Sequence, residues 1–340
     1  RRVSLFNLIT YKLTLISYLH KIRNRHLNKY SKANTMKYIY LLFITSFVFS
    51  SCKQEQKAQD PELQEIVKRN TIVIKGSDTE LPMVKDLSKA FSRERNDIMI
   101  DISGGGSSIG IEALINNETD IANSSREMKP SEIERAKKNG VNPIPIMFSV
   151  DALAIITHSE LGVDSLSTEQ LTQIFSGEIK NWKELGGPDL SIVVYGRDST
   201  SGTYSYLKDK FIRAPYSATM NHLHGNADIV KAVQNNKAGI GYAGVGFLMD
   251  ENGKPNGSIW AMPIYIKGSC AYSPYEVAAV KKGDYVLTRP LYQYINGKPS
   301  QQIYDFIMSE LTLRGQDVIK MHGYFPINDY QAEINKLNGL

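Results

Sequence analysis

The chain has 340 residues, 42% of them hydrophobic and 22% charged, with 40 Lys and Arg against 35 Asp and Glu for a formal net charge of +5. That length lets it bury its own core, most naturally in two lobes. Its two cysteines, Cys52 and Cys270, exclude a disulfide framework.

The positive charge is concentrated at the start. Residues 1–35 carry many Lys and Arg, no acid and no clear period, and read as sequence translated upstream of the true start. From Met36 a pattern emerges: Met36-Lys37-Tyr38 is a short basic opening, Ile39 to Phe49 is apolar, and Ser50-Ser51-Cys52 closes it. Residues 36–51 therefore read as a secretory signal peptide, too short for a spanning helix. The Ser-Ser-Cys ending resembles a bacterial lipobox. That resemblance implies cleavage before Cys52, lipidation of Cys52, and a place in the cell envelope facing the periplasm or exterior. Removing the 9 basic residues of 1–51 leaves 31 bases against 35 acids, a net charge of −4. The mature chain thus offers no electrostatic argument for nucleic acid, and no zinc-knuckle, RNA-binding or helix-turn-helix signature supports one. Residues 52–70, polar and interrupted by Pro61, read as a tether beyond the lipidated cysteine.

From Thr71 onward strands and helices alternate. Apolar strand-like runs occur near 71–75, 98–102, 120–122 and 143–148, with helical stretches near 82–94, 109–117 and 131–139. A second set follows: a strand over 152–157, a helix over 168–175, a strand over 191–195, helices over 203–212 and 228–235, and a strand over 239–243. After 260–266 come a strand at 285–287 and helices near 301–309 and 314–321. This alternation specifies an α/β fold with a mainly parallel sheet, whose ligands sit beyond the carboxyl ends of the strands.

Three strand–loop–helix junctions are rich in Gly, Ser and Thr. Gly76-Ser77-Asp78-Thr79 follows the first strand and Gly104-Gly105-Gly106-Ser107-Ser108 the second. Gly196-Arg197-Asp198-Ser199-Thr200-Ser201-Gly202-Thr203 follows the strand near 195. Such junctions aim backbone N–H groups and hydroxyls at an anion, and Arg197 adds a cation with forked donors suited to a tetrahedral oxyanion. One such loop could be a capped surface helix; three together point to one buried anion.

Those loops, with Asp120-Ile121-Ala122-Asn123-Ser124-Ser125-Arg126 and later echoes, occur in an order similar to that of the periplasmic phosphate-binding proteins of the high-affinity phosphate ABC transporter. The echoes are Ile174-Phe175-Ser176-Gly177, Gly239-Ile240-Gly241-Tyr242, Arg289-Pro290-Leu291-Tyr292 and Gly323-Tyr324-Phe325-Pro326. The resemblance spans about 72–327. It implies a type II periplasmic-binding-protein fold, two α/β lobes joined by two hinge strands, with 71–150 plus 265–340 as lobe 1 and 155–260 as lobe 2. The ligand groups it implies are Ser77, Asp78, Thr79, Ser107, Ser125, Arg197, Ser201, Gly202 and Thr203. Implied partners are inorganic phosphate, the permease of an ABC transporter and, through Cys52, a membrane. The protein would be a monomer that needs no cofactor or metal and catalyses nothing. One departure stands out: well-known members of that family have an aspartate where this chain has Ser125. The acid that accepts the proton of hydrogen phosphate would then be Asp78, unless Asp78 merely caps the following helix.

Other readings have weaker support. A hydrolase using Ser201 or Ser107 lacks a Gly-x-Ser-x-Gly context near His158, His222, His224 or His322. The glycine loop lacks the Gly-Lys-Ser/Thr of a P-loop, and Ile109 occupies the third glycine position of a dinucleotide fingerprint. His222 and His224 have no ligand cluster beside them and suit a surface loop better than a zinc site. Sulfate, molybdate or another oxyanion, and a non-transport sensory or surface lipoprotein, remain as alternatives within the same fold.

Overall fold

β1 (Thr71–Gly76) buries Ile72 and Ile74 on one face and leads through a tight loop into α1 (Leu81–Ser92). Pro82 suits the first turn of that helix, and Met83, Val84, Leu87 and Phe91 fall on one buried stripe. A computed structural model describes residues 70–250 and 253–340. The upstream segment 1–35, the signal peptide, Cys52 and all of the expected tether except Asn70 lie outside the described residues.

The same strand–loop–helix step recurs with β2 (Met99–Ser103), α2 (Ser107–Ile115), β3 (Ile121–Ser124) and α3 (Pro130–Lys138). β1 pairs in parallel with β2 and β3, so the loops after these strands emerge at the same sheet edge. β4 (Pro143–His158) then runs 16 residues, buried continuously from Ile146 to Thr157. The two strands expected near 143–148 and 152–157 are this single strand, because the Ser149–Asp151 interruption is buried too.

β4 belongs to both halves of the molecule. Its first part pairs antiparallel with β11 (Thr288–Asn296), which also pairs with β3. Its second part pairs antiparallel with β8 (Gly239–Gly244) and β9 (Ile259–Ala261). β6 (Val193–Gly196) lies parallel to β8 and to the short β7 (Asn221–His222), giving the order β2-β1-β3-β11-β4-β8-β6-β7. The minor pair β5 (Leu166–Ser167) and β10 (Ile264–Tyr265) completes the strands. This is the expected α/β architecture of two lobes linked by crossing strands, but the main sheet is mixed rather than mainly parallel, because the crossing strands β4 and β11 run antiparallel to their neighbours.

The helices of the second lobe are α4 (Thr168–Ser176), α5 (Gly202–Leu207), which continues as one π-turn over Lys208–Ile212, and α6 (Asn226–Gln234). A capping box starts α4, Ser167 Oγ accepting from Gln170 N while Gln170 Oε1 accepts from Ser167 N, and left-handed Gly177 ends it. Trp182 is fully buried in this lobe, donating Nε1–H to the carbonyl of Ala238 at 3.0 Å.

The chain's return path differs from expectation. Tyr285 and Leu287 form no strand. They plug into the core of the second lobe, where the Tyr285 hydroxyl donates to Leu153 O at 2.7 Å. α7 (Val277–Lys282) contributes Ala279 and Val280 to the same core. Most of 265–287, assigned above to lobe 1, therefore packs with lobe 2, and the chain crosses back at Thr288. Pro290 is tolerated there because β11 pairs with β3 only from Tyr292 onward. α8 (Gln301–Leu311), α9 (Leu313–Met321) and α10 (Asp329–Leu337) finish the chain around the first lobe, where Phe306, Ile307 and Ile319 join Ile72, Ile74, Phe91 and Phe148.

Candidate functional site

The three loops converge. Ser77 N donates to Asn123 O at 3.0 Å and Gly106 N to Gly76 O at 2.9 Å, so the ends of β1, β2 and β3 are tied together. From the other lobe, Thr200 O accepts from Ser108 N at 3.0 Å, joining the arginine loop to the first turn of α2. Gly106 makes that approach possible: it has φ 109° and lies against the Thr200 carbonyl, where a Cβ would collide.

The predicted site residues come together as one buried set: Ser77, Thr79, Ser107, Ser125, Arg197, Ser201 and Thr203 are all buried. The hydroxyls of Ser107 and Ser125 are 3.3 Å apart, and those of Thr79 and Thr203 are 3.1 Å apart across the lobes. Gly202 opens α5 directly against Ser107 and Ser125; an added Cβ would fall within 3.0 Å of both hydroxyl oxygens. Ser201 caps α5 by accepting from Tyr204 N, leaving its own proton free to donate. α1, α2 and α5 have no acidic residue in their first turns, as α7, α8 and α9 also have none, whereas α3, α4, α6 and α10 each do. The starts of α2 and α5 thus carry no first-turn carboxylate, while α1 has Glu80 at its N-cap, a buried carboxyl that burial pushes well above its ordinary value.

Arg197 is 3% exposed, and its Nη2 donates to Asp78 Oδ2 at 2.5 Å. Its backbone is fixed on both sides. Arg197 N donates to the Tyr242 hydroxyl at 2.8 Å, and Arg197 O lies 3.0 Å from His222 Nδ1. Burial pushes the Tyr242 phenol well above its ordinary range, so it stays neutral. Arg197 Nε is buried with no hydrogen-bond partner among the described residues, and the Ser77 hydroxyl lies beside the Glu80 carboxyl without reaching hydrogen-bond geometry. Asp78 does not cap α1. Its Oδ1 accepts from Gly105 N at 2.8 Å, so it bridges two loops of one lobe to the arginine of the other.

Several residues at this junction escaped assignment from the sequence. Arg126, within a quoted motif, is buried in a forked pair with Glu132 at 2.7 and 2.8 Å and holds Ser108 Oγ at 3.0 Å. Burial alone would raise the Glu132 carboxyl, but the hydrogen bonds from Arg126 and Lys129 N hold it below its ordinary range. Arg289, from the Arg-Pro-Leu-Tyr echo, forms a fully buried pair with Asp151 at 2.8 Å. It also donates to Ser125 O and to Thr203 Oγ1, both at 3.1 Å. Asn226 reaches Thr79 Oγ1 at 3.4 Å. Arg126 and Arg289 lie in motifs visible in the sequence; Asp151 sits in an apolar run and Asn226 at an ordinary helix start.

Two α/β lobes around a buried cluster of donors define a solute-binding protein, and residues 55–310 match the PBP superfamily domain, so the chain belongs to that family. Among its relatives, it is 29% identical over 300 residues to the phosphate-binding protein PstS of Borreliella burgdorferi, covering 86% of this chain and 99% of that protein. It is 28% identical over 298 residues to PstS of Pseudomonas aeruginosa, covering 81% and 90% of the two chains. The phosphate-bound crystal structure of a phosphate ABC transporter substrate-binding protein from Clostridium perfringens superposes with a TM-score of 0.67 at 27% identity. That match covers 76% of this chain and all of the other.

Proposed function

We propose that this protein binds inorganic phosphate between its two lobes and delivers it to the permease of an ABC transporter. The observation that carries the reading is Arg197, buried and only partly paired, among hydroxyls contributed by both lobes. A dehydrated divalent anion needs many donors and little bulk, and serine and threonine hydroxyls, loop amides and one guanidinium supply both. The names of the relatives point the same way. The ligand groups in this reading are Ser77, Asp78, Thr79, Ser107, Ser125, Arg197, Ser201, Gly202 and Thr203, with Asp78 as acceptor for the phosphate proton. Closure is a population shift, since only the closed form lets both lobes touch the anion. The reading involves no covalent chemistry, and the carrier acts as a monomer.

The reading also places the protein in the cell envelope, held by lipid on Cys52 with residues 53–70 as the tether. Among the described residues no helix is long and apolar enough to cross a membrane. Labelled fatty acid should be incorporated into the protein and not into its Cys52→Ser variant; absence of label from the unsubstituted protein would refute lipid anchoring.

Titration calorimetry of the chain from Lys53 onward tests the central reading. Tight one-to-one phosphate binding that survives excess sulfate and molybdate is expected. Preference for either competitor would move the substrate within the same fold, and binding of no oxyanion would refute the transport role.

A further inference from the structure

Arg289 is not one of the ligand groups above, yet it touches both lobes at the site. It leaves β11 at the hinge, 1% exposed, with Nε and Nη2 3.0 and 2.8 Å from Asp151 Oδ2 on the other crossing strand. Nη1 donates to the carbonyl of Ser125 in the first lobe, and Nη2 donates to Thr203 Oγ1 in the second. The ring of Tyr206 covers the guanidinium, 5.2 Å from its carbon.

A guanidinium has only donors, so Thr203 Oγ1 accepts from it. Across the lobes, Thr79 Oγ1 accepts from Asn226 Nδ2. The amide of Asn226 is oriented for this because its Oδ1 takes the N–H of Gly244 at 3.3 Å. Each threonine hydroxyl therefore has a nitrogen donor behind it, and neither can turn its own proton back that way. The two hydroxyls, 3.1 Å apart, can share only one proton between them, so the other must be donated elsewhere.

We propose that Arg289 is a positioning residue that polarises the Thr203 hydroxyl, and with it the Thr79–Thr203 pair, to donate into the anion site. The proposal rests on the phosphate reading above. It assigns Arg289 a role distinct from that of Arg197: one faces the anion, while the other fixes a hydroxyl that does. The hinge pair thereby couples lobe crossing to donor direction, since Asp151 holds the guanidinium that holds Thr203.

A double-mutant cycle tests this in the full chain, read by phosphate titration. Arg289→Met and Thr203→Val should each weaken phosphate binding by about 10-fold, the scale of one hydrogen bond to an anion. The double variant should be at most about 3-fold worse than the weaker single, because Arg289 acts through the hydroxyl that Thr203→Val removes. Effects that multiply would overturn the proposal, since a merely structural Arg289 would weaken binding whether or not the hydroxyl is present. Arg289→Met strands the buried Asp151 carboxylate and could prevent folding. The same cycle is therefore run in an Asp151→Asn background, which removes that charge and keeps Oδ1 as acceptor for Val245 N. Failure of the unsubstituted chain to bind phosphate would refute the binding reading and this assignment with it, whereas multiplicative losses with parental binding intact refute the assignment alone.

Discussion

Asp78 Oδ2 accepts a hydrogen bond from Arg197 Nη2 at 2.5 Å, joining loops 119 residues apart and in different lobes. The arginine side chain is 4% exposed and the carboxylate 20%. The guanidinium is thus a buried charge at the meeting of two loops, shared between protein and proposed ligand. Arg197→Ala should weaken phosphate binding by at least about 10- to 150-fold, the span of a charge-assisted hydrogen bond. The loss should exceed that of Arg197→Lys, because Ala leaves Asp78 facing an anion unpaired. Adding Asp78→Asn to Arg197→Ala should recover part of it. Equal affinities for the parent and Arg197→Ala, measured by calorimetry, would remove Arg197 from the site.

Asp78 is also the proposed basis for choosing hydrogen phosphate over sulfate. Facing an oxyanion with no proton, its carboxylate would meet acceptor with acceptor, a mismatch costing roughly 1–3 kcal/mol or more. Asp78→Asn should therefore bind sulfate more tightly relative to phosphate than the parent does. A phosphate-to-sulfate ratio unchanged by Asp78→Asn would show that Asp78 only orients Arg197 and Gly105.

The loops that carry this chemistry were legible in the sequence because their signal is local: a β-run, a cluster of Gly, Ser and Thr, then a helix. The proposed site residues Ser77, Ser107 and Arg197 each lie in such a stretch. Asp151 and Arg289 were not legible as a pair, since their 138-residue separation closes only through the register that sets Thr288 opposite Ala152. The lobe boundary was misplaced for a related reason. Tyr285-Val286-Leu287 has strand composition, but its burial comes from filling the second core rather than from a ladder. Val277–Lys282 and Asp329–Leu337 went unassigned as helices; the first is short, and the second buries only Asn335.

Gly202 tests closure separately from chemistry. A methyl at this position would lie within 3.0 Å of the Ser107 and Ser125 oxygens, which belong to the opposite lobe. Gly202 opens α5, and Ala is the better helix former there, so each lobe by itself tolerates the change. Gly202→Ala should leave the unliganded melting temperature within a few degrees of the parent while weakening phosphate by roughly 5- to 150-fold, the range expected for overpacking a close contact. Scattering curves should then show the variant remaining more open at phosphate concentrations that close the parent. Unchanged affinity would mean that the loops meet less tightly when the anion is bound.

Glu310 gives the fold a pH dependence unrelated to binding. It is fully buried against Gln293, whose Nε2 donates to Glu310 Oε1 at 3.3 Å. Burial pushes its carboxyl well above its ordinary value of 4.5, with the Gln293 hydrogen bond only partly opposing that rise. A carboxyl that keeps its proton also has a donor to offer the otherwise unpartnered Oε1 of Gln293. Because the folded value is raised, the folded state holds a proton that the unfolded chain has already lost. The stabilisation is complete below about pH 4.5 and is lost as pH rises through the folded value, at about 1.4 kcal/mol per pH unit between the two. Glu310→Gln, nearly isosteric and unable to ionise, should remove that slope. In urea unfolding, the variant should gain on the parent as pH rises above about 4.5; a difference in stability that does not change with pH would mean that burial leaves the Glu310 carboxyl at its ordinary value.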